Sequence, residues 1–255
     1  HTIYAYWTAN KYTVKFNKNT PSGVEESDVS AVPTDITATY DQAISTADLG
    51  SLTAPGYTFE GWFTAEVGGN KVTAATTNLA TENNAVVNLF AHWTENTDTT
   101  YKIETYVRNL NGANKLAEEY TLLDTENLTG TTNATVDAKL VSKYFTNGIL
   151  NIPGRQVEDG TYTATIDPNG NTTIRVNLTR IAYKVTLNAG TGIESVSVKD
   201  YALTNGSENF YSGATITIDA VVKTGYTWRN WTGDKTLSVK TSEITIESET
   251  ITLTA

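Results

Sequence analysis

The sequence predicts a β-rich chain built from modules set one after another in an elongated array. Three observations predict it. Runs with strand-like, period-two alternation recur, as in Tyr12-Thr-Val-Lys-Phe-Asn17 and Tyr183-Lys-Val-Thr-Leu-Asn188. An aromatic motif recurs as well: Gly56-Tyr-Thr-Phe-Glu-Gly-Trp62 and Gly225-Tyr-Thr-Trp-Arg-Asn-Trp231 follow those two runs at near-equal distances, and repetition at matched spacing marks an array of units. Finally, Thr is the commonest residue, and Asn, Gly and Tyr are prominent. Thr and Tyr suit pleated, half-buried surfaces, whereas Gly and Asn suit turns.

The elements follow in order. Residues 1–9, His-Thr-Ile-Tyr-Ala-Tyr-Trp-Thr-Ala, read as a strand without a partner of its own. Ile3-Tyr4-Ala5-Tyr6-Trp7 aligns with Leu89-Phe90-Ala91-His92-Trp93, so the segment is expected to be the last strand of a preceding repeat. The first full module is expected over residues 10–94. It opens with Tyr12, Val14 and Phe16 on one face and passes through a polar loop around Pro21 and Gly23. A short helix or irregular crossing near Tyr40–Ile44, Leu49 and Leu52 leads to the turn Pro55-Gly56, and Val86–Trp93 closes the module as a strand. Residues 95–100 read as a short linker, which constrains its neighbours.

The second module is expected over residues 101–181. Tyr101–Val107 and Leu116–Leu122 form a hairpin about Asn109-Leu-Asn-Gly112, and Ile174, Val176 and Leu178 face the core of its last strand. The third, over residues 182–255, contains the alternating run Gly213–Ala220 and two short strands at Ile244–Ile246 and Ile251–Leu253.

Composition narrows the function. The net charge is −10, and Lys and Arg are scattered, which argues against nucleic acid or an anionic membrane as partner. There is no Cys, which removes disulfides, thiolate metal sites and Cys nucleophiles. There is no Met, so the sequence is expected to be part of a longer chain. No stretch reads as a signal peptide or a membrane span.

The pattern Tyr-x-Val-x-Phe-Asn, then Ala-Pro-Gly-Tyr-x-Phe-x-Gly-Trp, then Asn-Leu-Phe-Ala-x-Trp over residues 12–93 resembles the Listeria–Bacteroides repeat, also called the internalin B-repeat. The third module is similar to a divergent member that keeps Gly225-Tyr-x-Trp-x-Asn-Trp231 and lacks the closing Trp. The middle module resembles mucin-binding-type repeats of Gram-positive surface proteins, through Tyr101-Lys-Ile-Glu-Thr-Tyr and Gly170–Arg180, with Leu178 where that family has Tyr. The resemblance implies a β-rich α+β architecture of tandem β-grasp (ubiquitin-like) modules. It also implies an extracellular or wall-attached bacterial setting and no catalysis.

Catalytic chemistry has little to work with. The histidines are His1 and His92; His92 is expected on the face opposite Phe90, exposed to solvent. Glu25, Glu26, Asp28, Glu118, Glu119, Glu158 and Asp159 read as solvated acids, and Asp167-Pro-Asn-Gly-Asn171 as a turn, since its Gly and its twelfth position do not fit a calcium loop. No cofactor, metal site or catalytic residue is expected. Tyr201, Phe210 and Tyr211, in a stretch expected to be loop-like, are the candidate ligand-binding residues. The expected function is a stalk or spacer, and an adhesin, in a bacterial surface or secreted protein. Its partners are neighbouring repeats and a host-surface protein or glycan. A glycan- or host-protein-binding module is the alternative, and a carbohydrate-active enzyme fragment a further one.

Overall fold

The computed structural model describes the backbone of residues 1–255 and every side chain except that of Thr46. It is β-rich, with several small sheets and little helix. It comprises two compact units. One contains His1–Lys102, Asn127–Val136 and Ala164–Thr172; the other contains Ile103–Glu126, Asp137–Thr163 and Thr173–Ala255.

In the first unit, β1 (Lys11–Asn17), β2 (Ile36–Thr39), β3 (Tyr57–Phe63), β4 (Lys71–Val72) and β5 (Val86–Glu95) form one sheet in the order β2-β1-β5-β3-β4. β5 is central, parallel to β1 and antiparallel to β3. Tyr12, Val14, Leu89 and Ala91 are wholly buried, as their alternation requires. The crossing between β2 and β3 carries one helical turn, α1 (Thr46–Leu49), capped by the Ser45 side chain, which accepts from the Ala47 amide. Ile44, Leu49 and Leu52 close the core from above, and the Trp62 indole N–H donates to the Leu49 carbonyl at 2.6 Å.

A bulge between Phe59 and Gly61 makes this packing possible. Strict alternation from Phe59 would send Trp62 to the opposite face. The extra residue resets the register so that Trp62 pairs with Ala91, and Trp62 and Phe59 meet edge to face at 5.4 Å. Gly61 adopts φ 136°, and a Cβ there would lie 2.7 Å from the Lys71 side chain. The Gly-Trp pair of the motif is therefore a bulge followed by an anchor.

The middle of the chain supplies β6 (Thr99–Leu110), β7 (Leu116–Gly130), β8 (Thr135–Asp137), β9 (Phe145–Thr146), β10 (Ile149–Leu150), β11 (Arg155–Val157), β12 (Thr163–Thr165) and β13 (Thr173–Arg180), with one further helical turn, α2 (Ala138–Val141). The main sheet has the order β11-β13-β6-β7. Ile103, Val107, Ile174, Val176 and Leu178 are buried in the second unit, so Leu178 stands in the core.

The second unit continues with β14 (Ala182–Asn188), β15 (Ile193–Val198), β16 (Ser207–Tyr211), β17 (Thr215–Val222), β18 (Thr232–Gly233), β19 (Ser242–Thr245) and β20 (Ile251–Thr254). The order β16-β14-β20-β18 repeats the pairing logic of the first sheet: antiparallel, then parallel between first and last strand, then antiparallel. Trp231 is wholly buried in this core, its N–H bonded to the Lys240 carbonyl at 3.0 Å. A second sheet, β15-β17-β19, completes the cluster.

Several expectations are corrected. Residues 1–9 form no strand. β5 runs to Glu95 and β6 begins at Thr99, which leaves only Asn96–Asp98 between them; Thr99 and Thr100 join the strand they favour. The stretch ending at Tyr211 is a strand rather than a loop. Tyr226, the counterpart of buried Tyr57, is 55% exposed, because residues 225–230 form no strand that would turn it inward. His92 shares a face with Phe90, since residues two apart in a strand point the same way. It is half-buried and stacks on Phe63 with centroids 3.8 Å apart.

Candidate functional site

Within the first unit, a groove of about 530 Å³ lies between the loop after β1 and the β3–β5 pair, lined by Asn19, Glu60, Glu66, His92, Trp93 and Glu95 among others. Its wall is held by backbone carbonyls. The Trp93 N–H donates to Lys18 at 3.0 Å and the Asn19 amide to Ala91 at 2.8 Å. Nε2 of His92 lies 3.0 Å from the Ala65 carbonyl, an acceptor, so that nitrogen is the donor of the contact. The Glu60 carboxylate takes a short hydrogen bond from Thr94. The groove thus offers carboxylate acceptors and an indole edge, but no paired nucleophile and base.

Also in the first unit, Asn96 is pinned. The Asn96 amide donates to the Gly56 carbonyl at 2.9 Å, and the Thr132 amide donates to the Asn96 carbonyl at 2.9 Å. The Thr132 hydroxyl bonds both Thr99 Oγ1 and the Gly56 carbonyl, each at 2.7 Å, and Thr132 is wholly buried. The Asn133 amide reaches the Tyr57 hydroxyl at 2.5 Å and the Glu95 carboxylate at 2.9 Å. Burial, foremost, raises the Tyr57 pKa; the Asn133 bond lowers it and the Glu95 charge adds to the rise. Gly56 has φ 69°, and a Cβ there would sit 2.8 Å from backbone atoms of Pro168, so a residue with a side chain would not fit between the two segments.

Within the second unit, Ile181 alone separates β13 from β14. Its N–H donates to Gly154 at 3.0 Å and its carbonyl accepts from Ser212 at 2.9 Å. Arg180 donates to the carbonyls of Arg108 at 2.9 Å and Ser212 at 2.8 Å, while Arg155 donates to the Ser212 hydroxyl. Burial lowers the pKa of both arginines, and at Arg155 the Arg180 charge adds to it.

The outer face of the β13-β6-β7 sheet carries an aromatic and cationic array. The Arg175 guanidinium lies 4.1 Å from the Tyr106 centroid and 5.4 Å from that of Tyr120. Hydrogen bonds to Glu104 and Glu158, in that order the leading causes, raise the pKa of Tyr106 and Tyr120. Glu158 was expected to be solvated. It is instead half-buried, bonded to Tyr120 and 3.7 Å from Arg108, because its strand end folds onto the ring.

The sequence-selected ligand residues lie close together but are not equally available. Phe210 is wholly buried in the core, meeting Tyr201 edge to face at 5.2 Å. The Tyr201 hydroxyl accepts the Ala113 amide at 2.6 Å, and Tyr201 and Tyr211 are partly exposed. Asp167 Oδ1 accepts from the Asn169 amide at 2.7 Å, which makes residues 167–171 a side-chain-closed turn. No group of three His, Cys, Asp or Glu among the described residues could hold a metal. Thr99, Thr132, Asn133, Arg180 and Ser212 escape a sequence reading, since their partners lie far along the chain and nothing local marks them.

Residues 12–92 match the family profile of the Listeria-Bacteroides repeat domain, a repeat typical of bacterial surface proteins. No curated protein matches the chain. Among solved structures, the Bacillus anthracis TIE protein is similar over 97% of this chain and 51% of its own, at 12% identity and a TM-score of 0.33. The chain thus spans about half the length of that structure. No helix among the described residues is long and apolar enough to cross a membrane.

Proposed function

We propose that this chain is a non-catalytic repeat segment of a bacterial cell-surface or secreted protein, acting as a spacer. In this reading residues 10–94, 101–181 and 182–255 are successive β-grasp modules, the middle one of mucin-binding type. The observation that carries the reading is the closure of both connections. Asn96 and Ile181 are each held by two backbone hydrogen bonds, and Thr132 and Ser212, which donate one of each pair, are buried. A spacer needs connections that do not yield, because a flexible linker dissipates reach. The repeat match over residues 12–92 agrees with it. Small-angle scattering tests the proposal. A compact chain of this length has a radius of gyration of about 18 Å. A spacer of three modules is expected well above that, at about 30 Å on the same scale, and the smaller value would reject it.

The adhesive part of the reading is a host-surface glycan or protein as partner. The groove beside Trp93 favours it, since an indole edge flanked by carboxylates suits a hydroxyl-rich ligand. Binding to a glycan array that survives Glu66→Ala and Glu95→Ala unchanged would remove the groove from that role.

A further inference from the structure

The second copy of the aromatic motif keeps its anchor and releases the rest. Tyr226, Trp228, Arg229 and Asn230 stand where the first copy has Tyr57, Phe59, Glu60 and Gly61. Those four residues of the first copy belong to β3, and Tyr57 is buried. Residues 225–230 form no strand, so Tyr226 and Arg229 are exposed, while Trp231 stays wholly buried. The released segment is nonetheless held in place. The Tyr226 amide donates to the Lys223 carbonyl at 3.1 Å, and the Lys223 amide to that of Gly192 at 2.9 Å. The Trp228 N–H donates to the Ser238 carbonyl at 2.8 Å, and its ring meets Trp231 edge to face at 5.8 Å. A Cβ at Gly192 would lie 2.3 Å from the Tyr226 ring, so the ring rests against bare backbone. An exposed ring fixed in advance loses little freedom when a ligand binds.

This segment walls a pocket of about 90 Å³ in the second unit, lined by Gly192, Ile193, Val222, Tyr226, Trp228 and Arg229 among others. The lining has one cationic side chain, Arg229, and no Asp or Glu. Arg229 forms no ion pair among the described residues. Positive charge gathers around it: residues 223–240 hold Lys223, Arg229, Lys235 and Lys240 against Asp234 alone, in a chain of net charge −10. The Asp234 carboxylate is already engaged, accepting the Thr252 amide at 2.7 Å. An unpaired guanidinium beside a fixed aromatic ring suits a carboxylate carried on a ring that can stack. Pockets that enclose a whole ligand run to roughly 300–1,000 Å³, so this one takes a single group of a larger molecule. The hydroxyls of Thr191 and Thr227 on the same lining suit a partner rich in hydroxyls.

We propose that this pocket binds a uronic acid residue of an acidic polysaccharide, with the sugar ring on Tyr226 and its carboxylate on Arg229. The site lies in the other unit from the groove beside Trp93, and it needs neither that groove nor the spacer role.

Calorimetric titration of the full chain tests it, with trigalacturonate and a hyaluronate tetrasaccharide as probes. At least one is expected to bind. Its methyl ester, which keeps the rings and removes the charge, is expected to bind at least about tenfold more weakly. Arg229→Gln should bring the same loss and Arg229→Lys much of it, because an ammonium lacks the two-pronged geometry. Arg229 is exposed, so both variants should melt with the parent chain, which separates lost binding from lost folding. Tyr226→Ser should weaken binding at least about threefold. Binding of neither probe, or binding that survives Arg229→Gln or Tyr226→Ser, overturns the proposal. So does equal affinity for dextran sulfate, which would make the surface a general binder of polyanions.

Discussion

Replacing Trp62 with Ala tests whether the two aromatic-anchored cores stand independently. Trp62 is 2% exposed, with Phe16 at 4.7 Å and Phe59 at 5.4 Å. Removing a buried Trp ring costs about 3–5 kcal/mol through lost transfer energy and the cavity left behind. The Leu49 carbonyl, which accepts the indole N–H at 2.6 Å, would lose its partner, adding about 1–3 kcal/mol. The sum, roughly 4–8 kcal/mol, rivals the stability of a domain of this size, roughly 4–12 kcal/mol. The Trp62 and Trp231 clusters share no buried residue. Hydrogen exchange along a urea titration is therefore expected to show β1–β5 open while β14–β20 keep their protection. Trp62→Phe, which loses the N–H but keeps a ring, should cost much less. A single transition in which both clusters open together would refute the reasoning, because the energy lost at Trp62 would then be shared across the whole chain.

The remaining predictions rest on single contacts. Thr105 Oγ1 and the Tyr12 hydroxyl are buried without a hydrogen-bond partner, so Thr105→Val and Tyr12→Phe are each expected to be neutral or to stabilise by about 1 kcal/mol, measured as the urea midpoint. Thr132→Val removes the hydroxyl that joins Thr99 to Gly56 and is expected to cost about 1–3 kcal/mol, with faster amide exchange at Asn96; unchanged exchange there would count against a pinned connection. Lys143 and Asp124 pair at 2.5 Å; this bond, foremost, lowers the Asp124 pKa and raises that of Lys143. The Asp124 contribution is present above the ordinary carboxylate value and lost as pH falls through the depressed one, whereas that of Lys143 is present below the ordinary lysine value and lost as pH rises through the raised one. Asp124→Asn is expected to flatten both limbs of a stability–pH profile. Phe210→Ser should lower stability by roughly 3–5 kcal/mol, so Tyr211→Ser, not Phe210→Ser, is the variant that reports on binding at this patch.

What the sequence determined by itself is whatever local periodicity and composition decide. Tyr12, Val14, Ile174, Val176 and Leu178 alternate, and alternation alone predicts their burial. The matched motifs announced two related sheets, and the same antiparallel–parallel–antiparallel pairing is found in both. Tertiary structure decided the rest, for reasons a strand pattern does not carry. The bulge at Gly61 reverses the face of Trp62, and its need arises only from Ala91 across the sheet. Tyr57 and Tyr226 occupy the same place in the motif, yet only Tyr57 lies in a strand and is buried. Phe210 reads as available when its stretch is taken as a loop, and it is buried because β16 pairs with β14. The pinned connections depend on Thr132, Asn133 and Ser212, small polar residues whose meaning comes from carbonyls distant in sequence. A hydrogen bond between distant segments leaves no periodic trace, so only the folded chain can place it.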